Sequence, residues 1–346
     1  MNKRLINIKK YMESASLDSM LITDRSNMRY LAGYTGEGYL VLSKDKDYLV
    51  TDSRYTEQAR IQTNGPEILD VSSLNPRDAF GGFKATGFEN VSISYSRFTA
   101  FSKVFERLEP MNSVLLDMRA VKEEEEIKAV EKAEAIGDKA FAHILNFIKP
   151  GVSERDIALE IEFFMRKNGA EKLSFDVIAA TGAHGAMPHA EPDGRLIQNG
   201  DFVVLDFGCV YEGYCGDMTR TVCVGRASPE MKKVYYTVLR AQEQALEMLE
   251  EGLPACDAHK KALSITDEFY EGAFGHALGY GVGLEVHEEP RPSVKNSKPL
   301  TNGNVVSVEP GIYLPGFCGV RIEDLVVIEG RKCRNLTHSD KKLIEL

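Results

Sequence analysis

Short apolar runs bounded by polar residues or glycine dominate the first third of the chain. SMLITD, GYLVLS and DYLVTD are each of strand length and close on Asp, Gly or Lys, which predicts strands of a compact α/β unit. Between the first two, SNMRYLAGYTGEG is polar and punctuated by glycine, and it predicts a loop. TDSRYTEQARIQT offers Asp52 or Ser53 as an N-cap ahead of good helix formers, and predicts a helix.

From Val121 the period changes. In KEEEEIKAVEKAEAIGDKAFAHILNFIKPG, the apolar residues Ile127, Val130, Ala133, Phe141, Ile144 and Ile148 recur close to helical spacing. The acidic run lies at the start, where the helix dipole favours negative charge, and it reads as a solvated face. Lys149, Pro150 and Gly151 stop this helix. Further helices are predicted at 153–168, capped by Ser153, and at 228–250. The remainder reads as strand-rich, with DFVVLDFG, TRTVCVG, NVVSVEPG and RIEDLVVIEG as its clearest apolar runs. The change of pattern sets a domain boundary near 117–123, with one unit over residues 1–120 and a second over 121–346.

Length agrees with two domains, since 346 residues are many for one core. At 43% hydrophobic and 27% charged residues the composition excludes global disorder. The net charge of −10 argues against nucleic acid or an anionic membrane as partner and favours a cation. No run approaches the roughly 20 apolar residues of a membrane span, and MNKRLINIKKYMESAS carries charges where a signal peptide needs an apolar block. The expected location is cytoplasmic. Cysteines at 209, 215, 223, 256, 318 and 333 form no CxxC pair and read as reduced thiols.

Candidate chemistry lies in carboxylates that interrupt apolar runs. Asp206 breaks FVVLDFG, Glu309 breaks VVSVEPG, Glu323 sits in VRIEDLVV and Asp217 in EGYCGDMTRT. Singly, each reads as a turn residue or as the partner of a nearby cation such as Arg321, itself a candidate substrate contact. Brought together, four buried carboxylates would repel one another unless divalent cations joined them. Oxygen donors suit Mg²⁺, Ca²⁺ or Mn²⁺, and an added imidazole shifts the choice toward Mn²⁺, Co²⁺, Fe²⁺ or Zn²⁺. Imidazoles stand close by in sequence: GHALGYGVGLEVHEEP frames Tyr280 and a run of glycines between His276 and His287.

DFGCVYEGYCGDMTRT, GHALGYGVGLEVHEEP and VEPGIYLPGFCGVRIED resemble, in order and spacing, the signature blocks of the pita-bread metallopeptidases. ATGAHGAMPHAEPDGRLIQNGD, with His189, resembles the block ahead of the first metal ligand. RSNMRYLAGYTG and TDSRYTEQA resemble the creatinase/prolidase-type N-terminal domain of Xaa-Pro dipeptidases and aminopeptidases P, which methionine aminopeptidases lack. The resemblance implies an α+β protein: a small α/β N-terminal domain followed by a pita-bread catalytic domain. It implies two divalent metal ions, Mn first among Co, Zn and Fe. Asp206 would bind one ion, Asp217 and Glu323 would bridge both, and Glu309 would complete the second site and act as general base. His189 and His287 would meet the substrate and stabilise the tetrahedral intermediate, and His276 would shape the proline-side pocket. Short proline-containing peptides are the implied partners and a homodimer the implied assembly.

One position departs from the pattern. In the family's HxxxHGxGLExH block the second His is a metal ligand, and Tyr280 stands there in this chain. A phenol titrates near 10 against about 6.5 for imidazole, so three readings stay open: a working site with Tyr280 or water as donor, a weak second metal site, or a metal-poor relative that keeps the fold as a peptide-binding scaffold or for metal-free chemistry of the creatinase kind.

Overall fold

The computed structural model describes residues 3–346, and the chain divides into two compact units, Met1–Asp117 and Met118–Leu346. In the first, a six-stranded sheet runs in the order Glu67–Asp70, Tyr48–Thr51, Tyr39–Ser43, Ser19–Ile22, Thr86–Phe88 and Leu108–Pro110. Ser19–Ile22 pairs antiparallel with Tyr39–Ser43 and parallel with Thr86–Phe88. Its core gathers Leu21, Val41, Val50, Phe80, Phe88 and Phe105.

Two expectations for this unit need correction. The glycine-punctuated stretch expected as a loop contains a helix, Arg25–Ala32. Asp24 caps it by accepting from Asn27 N, Met28 and Leu31 are buried, and Gly33 at φ 75° ends it. The glycines mark the end of a short helix rather than a loop throughout. Asp52 and Ser53 do not cap the next helix, which spans Thr56–Gln62 with Tyr55 at the cap position. Asp52 instead makes a turn, its Oδ1 accepting from Arg54 N at 2.9 Å, because a short carboxylate can bond its own backbone two residues on.

In the second unit, helices span Glu124–Ile144, Glu154–Lys167 and Pro229–Met248. The first opens on a capping box between Glu123 and Glu126 and ends at Ile144, earlier than the expected stop, while Ile148 stays buried in the adjoining turn. Ser153 and Ser228 cap the other two. A fourth helix, Ala255–Tyr270, lies in the stretch expected to be strand-rich. Its buried face is Ala255, Ala258, Ala262 and Ile265, mostly a stripe of alanine whose contrast with the polar face is too weak to show as a periodic pattern.

Strand Phe202–Phe207 lies between Ile178–Thr181 and Met218–Cys223, antiparallel to both. Val203, Leu205 and Phe207 pack with Ile136, Phe141, Ile157 and Ile161 of the helices. The two-residue alternation of a strand turns Asp206 to the opposite face. A second sheet orders Val305–Val308, Asp324–Glu329 and Lys332–Asn335, and Gly311–Leu314 pairs with Cys318–Arg321.

Candidate active site

Strand register explains why distant carboxylates meet. Asp206 stands opposite Thr219, and Asp217 lies one residue before the strand Met218–Cys223. Val308 and Asp324 are the last antiparallel pair of their ladder, so Glu309 and Glu323 leave it side by side. Thr219 joins the two sheets: its backbone O accepts from Glu323 N at 3.1 Å, and its Oγ1 donates to Glu323 Oε2 at 2.7 Å.

Asp206, Asp217 and Glu323 each present an oxygen within 4.8 Å of the others, and all three residues are buried. They open on a cavity of about 390 Å³ that is also lined by His189, His276, Tyr280, His287, Glu309 and Arg321. Every site residue singled out in the sequence therefore faces one space.

The electrostatics are those of crowded anions. Burial first, then Glu323 and Asp206, push Asp217 well above the usual carboxylate range. Burial and then Asp206 push Glu323 up to about 8, and burial with Glu323 raises Glu309. Asp206 Oδ1 and Glu323 Oε1 are buried with no hydrogen-bond partner. Buried oxygens left unsatisfied are costly, and a divalent cation supplies the missing partner to both. The donor set thus fits a divalent metal.

Other members of the site are placed more specifically than the sequence allowed. Arg321 takes Asp206, not Glu323, as its carboxylate partner. It also donates to Tyr313 Oη at 2.7 Å, Pro188 O at 3.2 Å and Thr219 Oγ1 at 3.2 Å. Its guanidinium is thus engaged by the protein. His276 Nε2 meets Tyr313 Oη at 2.9 Å and its Nδ1 meets Ala277 O at 2.8 Å. Since a carbonyl only accepts, Nδ1 carries the proton and Nε2 accepts from the phenol. Burial, then Arg321, lowers His276 to about 4, so the ring is neutral and fixed. His189 and His287 both reach solvent at the cavity, and partial desolvation of the His287 ring by the cavity wall, followed by Arg291, lowers His287.

Tyr280 packs on His287 with ring centroids 4.4 Å apart. Its backbone N donates to Ser307 Oγ at 3.0 Å, and its O accepts from Ser307 N at 2.8 Å. Ser307 Oγ in turn lies 3.3 Å from Glu309 Oε1. The phenol is raised by burial and then by Glu309.

Comparison with known proteins matches residues 128–330 to Metallopeptidase family M24 and residues 4–121 to the Creatinase/Prolidase N-terminal domain. The chain belongs to metallopeptidase family M24. It is 44% identical over 340 residues to the uncharacterized peptidase YqhT of Bacillus subtilis, covering 95% of this chain and 96% of that one. A structure titled Xaa-Pro dipeptidase from Bacillus anthracis superimposes with a TM-score of 0.96 at 38% identity, over 99% of each chain. One titled X-Pro aminopeptidase from Thermotoga maritima gives 0.90 at 36% identity, over 97% of this chain and 100% of that one. The fold is a creatinase-type N-terminal domain followed by an M24 pita-bread domain, and the family implies divalent metal ions. These relatives lend no support to the scaffold reading.

Several residues of this M24 site escaped the sequence reading. Glu134 lies buried beneath Asp217, accepting from Asp217 N at 2.6 Å and from Thr337 Oγ1 at 2.6 Å, and burial pushes it up to about 8. Arg220 is fully buried, bonding Asp324 Oδ1 at 2.7 Å and the backbone O of Thr219 at 2.9 Å. Arg291 is exposed and lies over the Tyr280 ring at 5.6 Å. Glu134 stands in a run of helix charges and gave no signal. Arg220 and Tyr313 lie within the motif blocks, which was the available hint. A further acid–imidazole group, Glu154, His184 and Asp193, is internally satisfied: both Glu154 oxygens meet His184 Nδ1 at 2.9 Å, and one accepts from Thr181 N at 2.7 Å.

Proposed function

We propose that the protein hydrolyses the Xaa-Pro bond of dipeptides or of short peptide N-termini, using two divalent cations held by Asp206, Asp217, Glu309 and Glu323. The observation that carries this reading is the meeting of three buried carboxylates, two with unpartnered oxygens, in a cavity shared with His189, His287 and Glu309. Relatives titled Xaa-Pro dipeptidase and X-Pro aminopeptidase support the substrate class, and their comparable identities leave chain length of the peptide to experiment. With His replaced by Tyr280 the donors are all oxygen, which favours Mn²⁺.

Bound there, the cations would lower the pKa of a water and polarise the scissile carbonyl. Glu309 would take a proton from the attacking water and later deliver it to the leaving proline nitrogen. Neutral His287, with His189, donates a hydrogen bond to the oxygen on which negative charge develops. His276, held by Tyr313 and Ala277 O, forms a fixed wall of the pocket.

Tyr280 is a weaker donor than imidazole at neutral pH because its phenol is raised above an already high reference value by burial and Glu309. Release of proline from Xaa-Pro dipeptides is expected from the parent at high Mn²⁺. Tyr280→His is expected to reach its maximum at about tenfold or more lower Mn²⁺, the effect of roughly 1.4 kcal/mol gained at one ligand. Identical Mn²⁺ dependence of both proteins would remove Tyr280 from the metal site.

The resemblance of the N-terminal unit also supports a homodimer, expected to sediment at twice the chain mass at micromolar concentration; a monomer there would end that part of the reading. Six free cysteines, five of them buried, support a reducing compartment such as the cytoplasm. Among the described residues no helix is long and apolar enough to cross a membrane.

A further inference from the structure

His287 stands on a glycine-rich hairpin just after Tyr280, whose near strand is tied to the sheet by Val282 N donating to Val305 O at 3.1 Å and Cys215 N to Gly283 O at 2.7 Å, while the strand carrying His287 leans on a group of buried charges. Gly281 N donates to Glu288 O at 3.1 Å and Glu288 N to Gly281 O at 2.7 Å, closing the hairpin across Val282–His287. Beneath it lie three charged side chains, Arg119, Lys122 and Glu288, each about 1% exposed. Glu288 Oε1 pairs with Arg119 and accepts from Glu285 N at 3.0 Å, and Oε2 pairs with Lys122 at 3.2 Å. Arg119 also reaches the partly exposed Glu285 at 3.0 Å. The cations are themselves fixed: Lys122 N donates to Gly303 O and Asn304 Nδ2 to Ala120 O, both at 2.9 Å.

The glycines follow from this arrangement. A Cβ on Gly283 would meet Glu288 Oε2 at 2.7 Å and Lys122 Cε at 2.9 Å, and one on Gly281 would meet Glu289 O at 2.2 Å. Burying three charges is an inefficient way to gain stability, since apolar residues of similar volume do as well or better. What ion groups supply is a defined geometry.

Resting on the proposed role of His287, we infer that Arg119, Lys122 and Glu288 are positioning residues that set where His287 stands over the carboxylate cluster. The triad ties a glycine-rich hairpin to the fixed segment at residues 119–122, and a side chain displaced by about 1 Å can lose up to a hundredfold in rate. The test replaces all three charges with apolar residues, Arg119→Met/Lys122→Met/Glu288→Leu, which leaves no buried charge alone. Expected are a Tm near the parent's, a kcat on Xaa-Pro substrates lower by about ten- to a hundredfold with little change in KM, and a shifted His287 Cε1-proton resonance. That resonance is assigned by its loss in His287→Gln, and it senses the ring current of Tyr280 even if the parent hydrolyses nothing. An unmoved resonance with kcat retained would reduce the triad to a structural element. Should the triple variant not fold, Lys122→Met, which leaves Glu288 paired with Arg119, is read by the same resonance: a shift supports the inference and an unmoved signal overturns it.

Discussion

Glu309→Gln is expected to lower kcat for Xaa-Pro hydrolysis by about two to four orders of magnitude, the span attributed to a positioned general base. The amide keeps the size of the side chain and can still lie beside Ser307 Oγ, so folding should survive. It cannot take a proton from water. Glu309 suits the task because it leaves the Val305–Val308 strand beside Glu323 and because burial and Glu323 raise its affinity for a proton. Stopped-flow or fixed-time release of proline, at Mn²⁺ that saturates the parent and then at rising Mn²⁺, is the measurement. A folded Glu309→Gln protein with parental turnover would sink the proposed mechanism, while a loss rescued by more Mn²⁺ would assign the residue to cation binding alone.

Much of this site is visible in the sequence as a conflict between pattern and chemistry. Asp206, Glu309 and Glu323 interrupt runs that otherwise read as buried strands, and an acid in such a run asks for a partner. Their meeting is another matter. It depends on the register that pairs Val308 with Asp324 and Asp206 with Thr219, which no periodicity encodes. The partner of Arg321 was hidden for the same reason: the chain places it two residues from Glu323, yet in the fold it turns to Asp206. The helix Ala255–Tyr270 was hidden by an alanine-rich face of low contrast. The helix Arg25–Ala32 was hidden by the glycines just beyond its end. Conversely, the glycines around His287 are conspicuous in sequence, and their reason appears only in the fold, where Gly283 lies against the Glu288 and Lys122 side chains and Gly279 and Gly281 lie against neighbouring backbone.

The second large effect is on stability. In unfolded chains carboxylates titrate near 4, whereas in the cation-free fold Glu323 and Glu134 are pushed up to about 8 and Asp217 and Glu309 are also raised. The folded state therefore binds more protons than the unfolded state between these limits, and stability falls as pH rises through the window. His276, lowered to about 4, and His287, also lowered, act in the opposite sense, costing stability as pH falls below about 6.5. Above about pH 7 His276 and His287 are mostly neutral in both states, and up to about pH 8 the carboxylates dominate the slope. In chelator, Tm is expected to fall steadily across that range. A cation binds the deprotonated acids and stabilises the fold by mass action, so the Tm gained on adding Mn²⁺ should widen as pH rises. Glu134 is hydrogen-bonded to Asp217 N and Thr337 and is not among the proposed ligands, so part of the slope should persist with Mn²⁺ and vanish in Glu134→Gln. A Tm gain independent of pH over this range would mean that the cation does not replace protons on Asp217, Glu309 and Glu323, and the carboxylate cluster would lose its claim to the metal.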